Sequence, residues 1–146
     1  MLQKSLTIST LSYLHTKNSD YLKTAERVAG YFMDNIPESG LIPVDFRQPS
    51  DVCMEDSSTA AIAACGLIEL ARQKGEDDGR TYLDAALKLL RVLAANSISW
   101  NEGEDHLLAK CTAAYHDELH EFPIIYGDYY FLEALMKLNR KELFIW

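Results

Sequence analysis

Four stretches of the chain carry side chains that could do chemistry. In HDELH, residues 116–120, His116 and His120 stand four apart with acids between them. A zinc-binding helix needs both imidazoles on one face and a glutamate directly after the first histidine. Asp117 holds that place and Pro123 follows, so a solvated loop is expected, with no metal and no cofactor. Asp45 and Asp128 could form a carboxylate pair for acid and base work, although a cap or a loop ion pair is the commoner use of such residues. In EDSST, residues 55–59, Glu55, Asp56, Ser57 and Ser58 precede a helix of small residues. There they can cap free N–H groups and complement the helix dipole. The same helix end could also face an anionic ligand, and the two roles are compatible. Tyr126, Tyr129, Tyr130 and Phe131 could stack on a sugar or fill a core. Tyr126, at a helix start, is the best placed of them for exposure.

The elements that must hold these residues are helices of two kinds. Residues 19–35 place Tyr21, Leu22, Ala25, Val28, Ala29, Phe32 and Met33 on one face and Lys23, Glu26 and Arg27 on the other. Residues 80–96 repeat the design with Leu83, Ala86, Leu89, Leu90 and Leu93 inward. Both are amphipathic surface helices. Residues 58–71 are apolar all round until Glu69, which is the mark of a buried helix. Residues 6–14 and 129–138 are nearly as poor in charge and read as buried too. The order is inner, outer, inner, outer, inner, joined by polar loops. Alternation of this kind is what two concentric helical layers require, so the expected fold class is all-α, an α/α toroid of about five main helices. The apolar run 107–114 could add a small β-hairpin. The loops at 37–56 and 101–123 are long, and a ligand site would sit among them. A row of helices that begins and ends with inner ones leaves apolar surface uncovered, which predicts self-association or a missing part of the molecule.

Composition narrows the function. At 146 residues with 48% hydrophobic content the chain can bury the core of a single domain. A net charge of −8 with only 14 Lys and Arg argues against nucleic acid and against an anionic membrane surface. No run approaches the roughly 20 apolar residues that span a bilayer, and the first residues lack a signal-peptide layout. The chain as given reads as cytoplasmic, or as periplasmic if a signal precedes it. Cys53, Cys65 and Cys111 are odd in number without CxxC spacing, so buried free thiols are expected rather than a disulfide framework.

Residues 56–70, DSSTAAIAACGLIEL, and 124–138, IIYGDYYFLEALMKL, resemble the two C-terminal signature segments of glycoside hydrolase family 88, the unsaturated glucuronyl hydrolases. The resemblance extends through SYLHTKNSDYLKTAERVAGYFMDNIPESGLIPVDF, residues 12–46. It implies a six-hairpin (α/α) barrel and hydrolytic release of a Δ4,5-unsaturated uronic acid from oligosaccharides. In that scheme an aspartate protonates C4 of the vinyl ether, water adds at C5, and the ring opens to a keto product. It also implies that residues 1–146 are the C-terminal portion, because the family's catalytic aspartates lie in a half with no counterpart here. Of its Arg-Gly-Gln-x-Trp substrate motif, MLQKSLTIST retains at best Gln3. The loop at 115–130 lacks the serine and lysine pattern some members present to sulfated sugars, and Tyr126 stands where Trp is common.

The resulting expectation is a substrate rim of Asp45, Asp56, Ser57, Ser58, His116 and Tyr126, gathered at one end by parallel inner helices. No residue of the chain is assigned as catalytic: the family it resembles is a hydrolase, but the chain alone is expected to lack the catalytic residues and to be inactive. The rival reading is a non-catalytic helical interaction or carbohydrate-binding module that oligomerises through its open inner helices.

Overall fold

The computed structural model describes residues 2–141 apart from Cys53 and Asp117. It contains α1 (Leu2–Thr16), α2 (Ser19–Asp34), α3 (Ser57–Asn96) and α4 (Ile125–Leu138). α3 is two rods, because Gly75 leaves helical geometry at φ 83° and ψ −178°. Only glycine enters that region without strain. The chain then doubles back so closely that a Cβ on Gly79 would lie 2.2 Å from the carbonyl oxygen of Ala71. A polar loop is therefore not what joins these rods: residues 72–79 are helical on both sides of one glycine. Asp77 and Asp78 fall in the first turn of the second rod, where acids complement the dipole.

The two layers appear in the burial pattern. Every residue from Ser57 to Ala71 is buried, whereas the second rod of α3 buries one stripe, Gly79, Ala86, Leu89, Leu90 and Leu93. α2 buries Ala25, Ala29 and Phe32, with Tyr21 turned out at 42% exposure. The first rod of α3 is flanked by α4 on one side and α1 on the other. α4 runs parallel to it: Cys65 Sγ donates to Tyr130 O at 3.0 Å, and further along Lys137 Nζ reaches Glu69 Oε2 at 3.5 Å. α1 runs the same way, since Lys4 lies over the Tyr126 ring while Leu11 and Glu133 meet around one cavity further on. Three parallel inner rods in an arc, backed by two outer ones, form the expected partial toroid.

Two expectations change in detail. Residues 107–114 form no hairpin; Leu108 bridges to Ile98 and Cys111 to Phe122, each as an isolated pair. α1 and α4 are buried on one side only, leaving Ile8, Leu132 and Met136 exposed. The charges on the first α3 rod and on α4 pair both within each helix and across the two. Glu69 meets Arg72 at 3.6 Å and Lys137 at 3.5 Å, Lys137 meets Glu133 at 3.5 Å, and the Arg72 guanidinium donates to Lys137 O. Pairing is what lets Glu69 and Lys137 be buried at all.

Candidate functional site

The N-terminal ends of the first α3 rod and of α4 open at the same end of the arc, and the segment 107–112 ties them together. Ser57 N–H donates to Lys110 O at 2.9 Å. Its hydroxyl donates to Ala109 O at 2.5 Å and lies 3.2 Å from Cys111 Sγ. From α4, Asp128 Oδ1 accepts the N–H groups of Leu107 at 3.1 Å and Leu108 at 2.7 Å. A Cβ on Gly127 would lie 2.7 Å from Cys111 Sγ, so the close approach needs glycine there.

Asp56 is the hub of this end. It is the N-cap of α3, and its Oδ1 accepts from Ser58 N–H at 3.0 Å, Ser58 Oγ at 2.6 Å and Thr112 N–H at 3.1 Å. Its Oδ2 accepts from Thr59 Oγ1 at 2.5 Å. Glu55 and Thr112 extend the tie: Thr112 Oγ1 donates to Glu55 O, and Glu55 N–H to Glu121 Oε1. Burial pushes the Cys111 thiol up, with the Ser57 hydrogen bond acting the other way. On the same arc the Cys65 thiol is raised well above its ordinary value by burial, and Glu133 adds to it. Both thiols are free and buried; Cys53 lies outside the described residues.

The residues expected at the rim thus divide. Asp56, Ser57 and Ser58 come together and are buried, with their polar atoms directed into the fold. Asp128 is held in the same way by the loop. Asp45 is exposed, caps its own turn by accepting from Arg47 N–H at 2.8 Å, and makes no hydrogen bond with Asp128. Its turn is anchored next to Asp56, because Val44 N–H donates to Met54 O and Gln48 Nε2 to both Val52 O and Met54 O. His116 is exposed with its ring edge-on to Tyr115. Tyr126 is 55% exposed, and Lys4 Nζ sits 6.0 Å from its ring centroid. Sequence reasoning missed Lys4, since nothing in α1 signals a partner more than a hundred residues away. Below Lys4 an open cavity of about 300 Å³ is lined by Thr7, Ile8, Leu11, Ile62, Tyr130 and Glu133. Among the described residues no three His, Cys, Asp or Glu side chains gather as a metal would require. An aromatic face beside an ammonium, over a half-apolar cavity, can take a ring that carries a carboxylate.

Parallel inner rods backed by antiparallel outer ones define the class of protein: an arc of an α/α toroid. Comparison with known proteins makes the class specific. The chain is 36% identical over 135 residues to an unsaturated glucuronyl hydrolase of Bacillus sp. (strain GL1), covering 88% of this chain and 36% of the relative. It is 37% identical over 136 residues to another from Formosa agariphila, covering 88% of this chain and 33% of the relative. Among solved structures, unsaturated glucuronyl hydrolase from Streptococcus agalactiae superposes with a TM-score of 0.89 at 26% identity, over 99% of this chain and 38% of that one. No protein-family model matches the chain. The chain belongs to the unsaturated glucuronyl hydrolases, and it spans about a third of the length of the curated relatives it matches.

Proposed function

We propose that this chain is the C-terminal arc of a hydrolase acting on oligosaccharides that end in a Δ4,5-unsaturated uronic acid, and that it supplies part of the substrate rim but not the general acid. The observation that carries this is the superposition over nearly the whole chain on enzymes more than twice its length. A mutant of the S. agalactiae enzyme, matched at a TM-score of 0.89, is solved with dGlcA-GalNAc6S. In the reaction a carboxylic acid gives its proton to C4, the oxygen of water bonds to C5, and the water's proton returns to the carboxylate. The hemiketal so formed opens to a keto sugar and frees the remaining oligosaccharide.

The carboxylates of the rim fit other work. Asp56 accepts four hydrogen bonds and Asp128 two, all from the fold itself, which holds each as an acceptor rather than as a proton donor. The exposed groups left for a sugar are Asp45, His116, Tyr126 and Lys4, with Asp56, Ser57 and Ser58 setting the helix end behind them. A uronate carboxylate suits Lys4, and the sugar ring suits the face of Tyr126. The test is loss of the ultraviolet absorbance of the C4–C5 double bond when the 146-residue chain meets an unsaturated disaccharide. No loss above buffer is expected. Turnover by this chain alone would overturn the assignment and put Asp45 and Asp128 first for mutation.

A further inference from the structure

The cavity beneath Lys4 and Tyr126 is walled by this chain's own three inner rods, so whatever covers its open side leaves these lining groups in place. α1 contributes Lys4 and Ile8, the first α3 rod Ile62, and α4 Tyr130 and Glu133. Glu133 is the only acid among the described residues that line it. Its side chain is 24% exposed, and its Oε1 lies 3.5 Å from Lys137 Nζ. Lys137 is held from its other side by Glu69 Oε2, also at 3.5 Å. The second oxygen of Glu133 accepts no hydrogen bond from the described residues. Glu133 follows Tyr126 by about two turns of α4, about 10 Å along the axis. Side chains on a helix lean toward its N-terminus, so the carboxylate leans back toward the mouth where Lys4 stands. The cavity therefore has an ammonium at its mouth, an acid deeper in, and an apolar wall between them.

We propose that Glu133 is a substrate-binding residue of this arc, its carboxylate accepting hydrogen bonds from ring hydroxyls of the unsaturated uronate whose own carboxylate lies at Lys4. A uronate presents that pattern. Its carboxylate is on C5, and the hydroxyls left to a Δ4,5-unsaturated ring are on C2 and C3, across the ring from it. An ionised carboxylate can only accept, so it selects hydroxyl donors and repels a second anion in the same place. Hydrogen bonds to a charged acceptor are the stronger kind. Lys137 makes a partly buried acid tolerable and fixes its rotamer, which makes Lys137 a positioning residue. Ile8, Ile62 and Tyr130 alone would take any flat ring, whereas Glu133 restricts the cavity to a hydroxylated one. The assignment rests on the hydrolase reading and names a residue that reads the sugar at the same site.

Nuclear magnetic resonance titration of the labelled 146-residue chain with two probes tests it. An unsaturated uronic-acid disaccharide carries the carboxylate and the hydroxyls; cyclohexanecarboxylate carries the carboxylate alone. Shifts at Ile8 and Ile62 report the cavity. Glu133→Gln should weaken the disaccharide at least about fivefold and leave cyclohexanecarboxylate as tight as in wild type or tighter. Lys4→Met should weaken both. Unchanged helical circular dichroism checks the fold, and if Glu133→Gln does not fold, Glu133→Asp, which keeps the charge but draws the oxygens back, should show the same selective loss. A folded Glu133 variant that binds the disaccharide like wild type, or that loses both probes equally, leaves Glu133 as no more than the partner of Lys137 and overturns this assignment while the hydrolase reading stands. A wild-type chain in which Ile8 and Ile62 do not move with the disaccharide overturns the substrate rim and this assignment together.

Discussion

Asp56→Ala tests most sharply how the candidate site is held. The substitution removes the N-cap of α3, worth about 1 kcal/mol. It also strands donors at a buried position: Thr112 N–H, Ser58 Oγ and Thr59 Oγ1 all point at the missing carboxylate. The hydroxyls can turn elsewhere, but the Thr112 amide cannot, and an unmet buried amide costs about 1–3 kcal/mol. Asp56 is only 6% exposed, so water does not replace the lost acceptor without opening the rim. The total is about 2–4 kcal/mol, a large share of the roughly 5–15 kcal/mol that holds a domain of this size. Asp56→Asn keeps an oxygen for Ser58 and Thr112, and Thr59 can accept from the new amide, so it should lose less than half as much. Urea unfolding followed by far-ultraviolet circular dichroism gives both values. An alanine variant within about 0.5 kcal/mol of wild type would mean that Asp56 is not the hub drawn here.

Other substitutions probe separate links. Ala64→Leu forces a larger side chain into a fully buried site on the inner rod and should lower stability by about 1–3 kcal/mol in the same assay, and an unchanged melting temperature would move that rod to the surface. Gly127→Ala should cost a similar amount, about 1–3 kcal/mol, because its Cβ would meet Cys111 Sγ at 2.7 Å and Leu108 Cδ2 at 3.1 Å; Gly127→Ala combined with Cys111→Ala should recover part of the loss. Alkaline pH should destabilise the chain. Burial raises both Cys65 and Cys111, so the fold keeps these thiols protonated where the unfolded chain ionises. That contribution is intact below about pH 8.5 and is lost as pH climbs from there toward the folded values, at no more than about 1.4 kcal/mol per pH unit and group. The slope of stability against pH above 9 should be shallower in Cys65→Ala, and identical slopes would refute the assignment.

Much of this architecture is legible in the sequence, because burial writes itself into composition. The unbroken apolar run 60–68 declares an inner rod, and the stripe of Ala25, Ala29 and Phe32 declares an outer one. The corner at Gly75 is not legible: residues 72–79 have the polarity of a loop, yet an exposed helical corner is equally polar and only the backbone tells them apart. Nor does sequence reveal the rim's fastening. Asp56 and Thr112 stand 56 residues apart and Asp128 and Leu108 twenty apart, and neither pairing leaves a local pattern. The three polar residues Asp56, Ser57 and Ser58 read alike as cap or ligand groups, and their direction of bonding is a tertiary property. The low charge of α1 and α4 reads as burial, and a row that begins and ends with inner helices already implies uncovered apolar faces on them; which residues stand exposed, Ile8, Leu132 and Met136 among them, is a tertiary property.

The claim that this arc carries a substrate rim is tested most directly by nuclear magnetic resonance titration of the labelled chain with an unsaturated uronic-acid disaccharide. Weak binding with shifts at Lys4, Asp45, His116 and Tyr126, and none at buried Cys65 or Leu89, is the predicted result. Shifts confined to other surfaces, or no shift with the unsaturated sugar in large excess, would contradict it.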